Sequence, residues 1–220
     1  MTAELATPTL RGFWLRLPLM LWLARLVVAL ISFTVHELAH ALAALALGDT
    51  TAREAGRLTL NPFRHTEWFG LLAGVFMGIG WSRPAPIRPH RMAVGERLGG
   101  LLAVLAGPLA SLALMAGGLG LLNVLAPASG SPVGGLLRVL VRFNLMLALL
   151  NILPFYPLDG YRAVRFLLPL RAAAGWERAS GWTTAVLGAS LALLVVLPDS
   201  VIAAHVVPLV NTVLRVLPGI

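Results

Sequence analysis

The sequence contains no cysteine and no lysine. Without cysteine, disulfides and thiolate metal sites are excluded, so any bound metal must rely on imidazole and carboxylate. All 17 basic residues are therefore arginine, set against 9 acidic ones. Charge of either sign is scarce, at 12% of 220 residues, while 58% are hydrophobic and mean hydropathy is +0.86. A soluble domain of this size carries roughly twice that share of charge. The composition is that of an integral membrane protein.

Apolar runs fill residues 17–47, 68–81, 98–125, 133–156, 180–197 and 200–217. Several hold about 18 residues or more with few charges, the length a helix needs to cross a bilayer. Arg11 and Arg16 ahead of the first run resemble a signal peptide, but no small-residue cleavage site follows, so that run is expected to be retained. No repeat, low-complexity tract or soluble appendage is evident, and residues 1–220 read as one integral-membrane domain. The run 68–81, WFGLLAGVFMGIGW, has 14 residues, four of them glycine. It is too short for a straight span of about 20 residues, and is expected to re-enter the side it came from, its backbone covered by protein or water. The expected fold is an all-α polytopic membrane protein with five to six transmembrane helices and a re-entrant or hairpin segment near 68–92.

The net charge of +8 could suggest nucleic acid, but the arginines are read as lying in connections between apolar runs rather than in one patch. Attraction to the anionic headgroups of a lipid bilayer, and topology signalling, is the simpler expectation.

The first run ends in FTVHELAHAL, residues 33–42, which places His36, Glu37 and His40 in an apolar helix. Positions 36 and 40 share one face, one turn apart. Two imidazoles at that spacing can bind one zinc ion, with the glutamate placed to act on water beside it. Glu37 is the single acidic residue well inside an expected span, where an unpaired charge costs about 3 kcal/mol or more. A metal gives a physical reason to keep it. A third protein ligand is still needed. His65 and His90 lie in arginine-rich loops and His205 in the last run, which Pro208, Asn211 and Arg215 interrupt, whereas Asp159 follows a span directly, in NILPFYPLDGYR, where prolines and Gly160 break the helix. Broken helix ends at membrane depth line functional cavities; an Asp-Gly turn at a helix exit is the plainer alternative.

These motifs resemble, in order, those of the site-2 protease family of intramembrane zinc metalloproteases: HELAHALAALALGD, GRLTLNPFRH, GWSRPAPIRPHRM, LAGPLAS and NILPFYPLDGYR, over roughly residues 30–165. The resemblance is to compact prokaryotic members without PDZ or CBS modules. It implies His36, His40 and Asp159 as ligands of one zinc ion per chain and Glu37 as catalytic base. It also implies Asn151 as a group that assists substrate or intermediate binding. Two departures stand out. The family's Gly-Pro-x-x-Asn ends here in Ser111, a shorter side chain for substrate positioning or intermediate stabilisation. The double glycine after the ligand aspartate reads Gly160-Tyr161, expected to alter the mouth of the site.

A metal held by residues 36, 40 and 159 requires the C-terminal ends of runs 17–47 and 133–156 to lie on one side, as they do if 68–81 is re-entrant. That side then receives seven arginines from 48–97 and four from 157–179, while 126–132 carries none. By the positive-inside rule the site lies nearer the cytoplasmic face of a prokaryotic cytoplasmic membrane. The expected activity is hydrolysis of a peptide bond in or near the transmembrane segment of a membrane-protein substrate. A metal or proton transporter, or an inactive relative that binds membrane helices, are the competing expectations.

Overall fold

A computed structural model describes residues 19–128 and 131–196. The run 200–217, with His205, lies outside them. Among the described residues there are eight α-helices: α1 (Leu19–Ala46), α2 (Thr51–Glu54), α3 (Trp68–Met77), α4 (Glu96–Leu125), α5 (Pro132–Ile152), α6 (Asp159–Leu167), α7 (Leu170–Arg178) and α8 (Ser180–Val196). Among the described residues no strand forms beyond a single bridge between Thr66 and Ser82. Of the described residues, three helices, α1, α4 and α5, at 28, 30 and 21 residues, are long and apolar enough to cross a membrane, and α8 is shorter at 17. The chain is an all-α membrane protein.

Local chemistry sets the helix ends. Ser131 accepts a hydrogen bond from the Gly134 amide while Pro132 takes the first helical position of α5, where its missing N–H costs nothing. Glu67 accepts from the amides of Phe69 and Gly70 and starts α3, its charge favoured at a helix N-terminus. Leu153 and Pro154 stop α5 short of the expected 156, because a residue before proline leaves the helical region.

The long helices pack through small and aromatic residues. Val28, Ala29 and Phe33 of α1 meet Phe143 and Leu147 of α5 and Leu71 of α3, with the Phe33 and Phe143 rings 5.7 Å apart. Ala29, Ala41, Ala44 and Ala103 have no exposed surface. Small residues let helix backbones approach closely, which is how helices associate where lipid is as apolar as leucine. Leu23, Val27, Ile31, Leu109 and Val124 are exposed on the long helices, as a lipid-facing surface requires.

The segment 66–92 forms the expected hairpin. Thr66 pairs with Ser82, and the Arg83 amide donates to the His65 carbonyl at 2.8 Å, so the chain enters and leaves at one level. Between them α3 runs only 10 residues and ends at Gly78 in the left-handed conformation. The return limb lies along α1. Arg25 donates to the carbonyls of Val75 and Phe76 at the tip. Farther along, Glu37 accepts from Ser82 and Ala85, and Asp49 from the Arg88 amide. Arg25 and Glu37 are 12 residues apart on α1, so the hairpin reaches about 18 Å past the level of its mouth.

One expectation is corrected. Arg25 lies on α1, and Arg138 and Arg142 on α5, not in connections. At least for Arg25 the reason is clear: its guanidinium caps the C-terminal carbonyls of α3, which have no partner within their own helix.

Candidate metal centre

His36 and His40 project from one face of α1 and are 2% and 1% exposed. Asp159, the first residue of α6, meets them from across the bundle. Its Oδ2 lies 3.0 Å from His36 Nε2 and 3.0 Å from His40 Nε2, and the two Nε2 atoms are 3.2 Å apart. Three potential ligand atoms from two distant stretches of chain therefore converge on one point.

The outer nitrogens fix the inner ones. His40 Nδ1 faces the Ala103 carbonyl at 2.8 Å, and since a carbonyl only accepts, Nδ1 carries the proton and a neutral His40 presents a bare Nε2. His36 Nδ1 meets Ser111 Oγ at 2.9 Å, a hydroxyl able to accept from an Nδ1–H, and the tautomer so held has a bare Nε2. Two imidazole lone pairs and a carboxylate oxygen then face each other among buried side chains. A proton can relieve only one of these contacts at a time, whereas a cation relieves all three. Ligand bonds of about 2.0–2.1 Å in a tetrahedral set place ligand atoms roughly 3.3 Å apart, close to the separations found. The donor set and spacing fit zinc.

Close approach is purchased by two glycines. A Cβ on Gly107 would fall 2.2 Å from His40 Nε2 and 2.7 Å from His36 Nε2, so only glycine lets α4 lie over the histidine pair. Pro108 beside it lacks the N–H that would bond the Val104 carbonyl. A Cβ on Gly160 would fall 2.1 Å from the Ile152 carbonyl oxygen. Without that contact α6 could not seat against the end of α5 and bring Asp159 in.

Glu37, 4% exposed, occupies the next position on α1. Its Oε1 accepts from Ser82 Oγ and its Oε2 from the Ala85 amide, each at 2.6 Å. His36, Glu37 and His40 also offer ligand atoms within 4.8 Å of one another. Glu37 is nevertheless the poorer third ligand, because both its oxygens are held by the hairpin while Asp159 Oδ2 touches both rings.

The other candidates fall elsewhere. His65 is fully buried, with its Nε2–H donating to the Thr59 carbonyl at 2.8 Å. Burial lowers its pKa, the nearby Arg57 charge adding to this against the Thr59 bond and Glu37, so it stands neutral and away from the trio. His90 is exposed in the turn Pro89–Arg91. Asn151, 8% exposed, donates to the Leu147 carbonyl at 2.9 Å. Ser111 is fully buried and meets His36 rather than an open cavity. Tyr161 is 4% exposed, stacked on Trp176 with its hydroxyl donating to the Trp176 carbonyl; the side chain turns into the α6–α7 packing. Sequence reasoning did not find Ser82, Arg25 or Arg57. A charge inside an apolar run was the available signal for Arg25, and none singled out Ser82.

This chain is 38% identical over 172 residues to "Putative zinc metalloprotease YwhC" of Bacillus subtilis (strain 168), a match covering 75% of this chain and 78% of that protein. The chain belongs to the site-2 protease family. It is also 31% identical over 141 residues to "Putative zinc metalloprotease Rip2" of Mycolicibacterium smegmatis (strain ATCC 700084 / mc(2)155), covering 61% of this chain and 53% of that protein. The match thus spans about half the length of the second relative. No family model and no solved structure matches the chain. Both named relatives carry zinc metalloprotease names, which supports a metalloprotease function for the chain. Where the family has an asparagine at the end of Gly-Pro-x-x-Asn, Ser111 here reaches only as far as the His36 ring.

Proposed function

We propose that the chain is an intramembrane zinc metalloprotease that hydrolyses a peptide bond in or near the transmembrane segment of another membrane protein. The observation that carries this reading is the convergence of His36, His40 and Asp159, with Glu37 one residue away and tied to a hairpin. One zinc ion per chain, held by that trio, would supply Lewis acidity toward water and the scissile carbonyl.

The protein's own groups do the rest. Each Glu37 oxygen keeps a second lone pair beside the bond it accepts, so the carboxylate can take a proton from the attacking water. It then returns that proton to the departing amine nitrogen. Ser111 and the Ala103 carbonyl act through the histidines, both holding ring orientation and the carbonyl fixing the His40 tautomer. Asn151, at the near end of α5, offers its remaining amide groups to the substrate backbone. A substrate helix must open locally, because its carbonyls are engaged within the helix.

Depth supports the same reading. The turn after α4 and before α5 marks the far side of the bundle. A hydrocarbon layer takes roughly 20 residues of helix, which counted from Leu125 reach Ala106 and from Pro132 reach Asn151. Ala106 directly precedes Gly107, which lies against both histidines, and Asn151 precedes Ile152, whose carbonyl lies against Gly160, the residue after Asp159. The centre would stand where the layer meets water, walled by the last turns of α1 and the first of α4. On the arginine bias, that is the cytoplasmic side.

The test is cleavage of a single-span substrate by reconstituted wild type and Glu37→Gln, with zinc measured in both. Glu37→Gln is expected to keep its zinc and substrate and to lose at least about 100-fold in rate. Appreciable residual cleavage would remove Glu37 from the role of base. Zinc-dependent ion flux without cleavage would favour a transporter.

A further inference from the structure

A second cluster of charge sits beside the hairpin and takes no part in the metal centre. Arg57, Arg64 and Arg83 line a cavity of about 300 Å³ with Ala55, Pro84 and Pro86. No acidic residue lines it. Arg57 is 7% exposed, and its Nε–H is buried with no acceptor among the described residues. Its Nη2 donates to the Arg83 carbonyl, which holds the guanidinium at the cavity wall. Glu37 is the acidic group that attracts Arg57, but both its oxygens already accept from Ser82 and Ala85. Burial disfavours the Arg57 charge, and against the pull of Glu37 the neighbouring charges of Arg83 and Arg64 disfavour it further. Three like charges around one pocket, one of them desolvated with an unused N–H, are costly unless an anion joins them.

We propose that Arg57, Arg64 and Arg83 form a binding site for the phosphate group of an anionic phospholipid. Guanidinium groups match phosphate oxygens in geometry as well as charge. The surroundings favour a lipid over free phosphate. Leu60, Phe63, Trp68 and Phe69 are 75%, 63%, 63% and 75% exposed, and the ring of Phe63, the residue before Arg64, lies 6.4 Å from that of Trp68. Arginine next to exposed aromatic and apolar side chains is the pattern of a membrane–water boundary. A phospholipid satisfies both halves of that surface, and inorganic phosphate only one. Arg83 follows Ser82, whose hydroxyl bonds Glu37, so the pocket stands at the depth assigned above to the edge of the hydrocarbon layer. The proposal rests on that membrane placement and not on hydrolysis. A lipid seated there would brace the limb of the hairpin that holds Glu37.

The experiment uses the full chain in phosphatidylcholine nanodiscs titrated with phosphatidylglycerol, bound lipid being counted by native mass spectrometry after release. Wild type should retain one phosphatidylglycerol selectively. Arg64→Gln/Arg83→Gln, both exposed positions that should fold, should weaken that binding by on the order of tenfold. Arg171→Gln/Arg178→Gln, an equal charge change on α7, should leave it within about twofold. Equal loss in both double variants, or no loss in either, would overturn the site in favour of diffuse attraction. In detergent without lipid, millimolar inorganic phosphate should not stabilise the protein. Stabilisation that vanishes in Arg64→Gln/Arg83→Gln, with lipid retention unaffected, would make the pocket a free-phosphate site and overturn the lipid assignment. Lipid counting reads the same whether or not the chain cleaves substrate, so failure here and failure of the protease reading are separable.

Discussion

Gly107→Ala tests the metal centre through one methyl group. The added Cβ would lie 2.2 Å from His40 Nε2, 2.5 Å from its Cε1 and 2.7 Å from His36 Nε2. Carbon–nitrogen contacts settle near 3.5 Å, so either the His40 ring or α4 must shift by about 1 Å. The ring cannot turn away cheaply, because its Nδ1 is held by the Ala103 carbonyl one turn earlier on the same helix. Overpacking of this kind costs about 1–3 kcal/mol of stability, and a displaced ligand costs roughly 10–100-fold in metal affinity. Both should be visible: a lower melting temperature, and zinc lost at chelator concentrations that wild type withstands. Gly117→Ala on the same helix is the control, since its Cβ would meet nothing within 4 Å, and it should behave as wild type. Zinc retention and cleavage equal to wild type in Gly107→Ala would refute the argument, because the histidine pair could not then lie beneath Gly107.

Further outcomes follow from the same contacts. Asp159→Ala should reduce zinc retention at least tenfold as measured by metal analysis after dialysis; full retention would require another third ligand. Thr66→Cys/Ser82→Cys, placed in a chain with no native cysteine, should form an intramolecular disulfide on mild oxidation, since the two positions pair across the hairpin. A failure to cross-link in folded protein would argue that the segment crosses the membrane. Asp49 is fully buried and accepts from the Thr51 amide and hydroxyl and the Arg88 amide. Burial alone would raise its pKa, but these bonds together hold it below the ordinary carboxylate value. Its contribution is therefore present above the unfolded value of about 3.9 and lost as pH falls through the lower folded value. Asp49→Asn should cost about 1–3 kcal/mol near neutral pH, and denaturation curves of the two proteins should converge in acid.

The sequence by itself determined the membrane class, because scarcity of charge and runs of apolar residues act through composition and length. It also determined that His36 and His40 share a helix face with Glu37 next to the first of them, since a spacing of four is local geometry. The short run 68–81 was legible as re-entrant for the same reason: a length limit needs no knowledge of neighbours. What only the tertiary structure decided lies in contacts between stretches far apart in the chain. Asp159 reaches the histidines across 119 and 123 positions, and its place depends on Gly160 fitting under the Ile152 carbonyl. Ser111 looked like a substrate group by position, yet the approach of α4 to α1 joins it to His36. Tyr161 followed the aspartate in sequence and turned toward Trp176, because α7 supplied an aromatic face there. Arg25 and Arg57 were visible as charges but not as partners of anything, since the carbonyls and cavity they meet exist only once the hairpin has folded back along α1. Spacing within a helix is fixed by the chain; pairing between helices is fixed by packing, which one linear pattern does not encode.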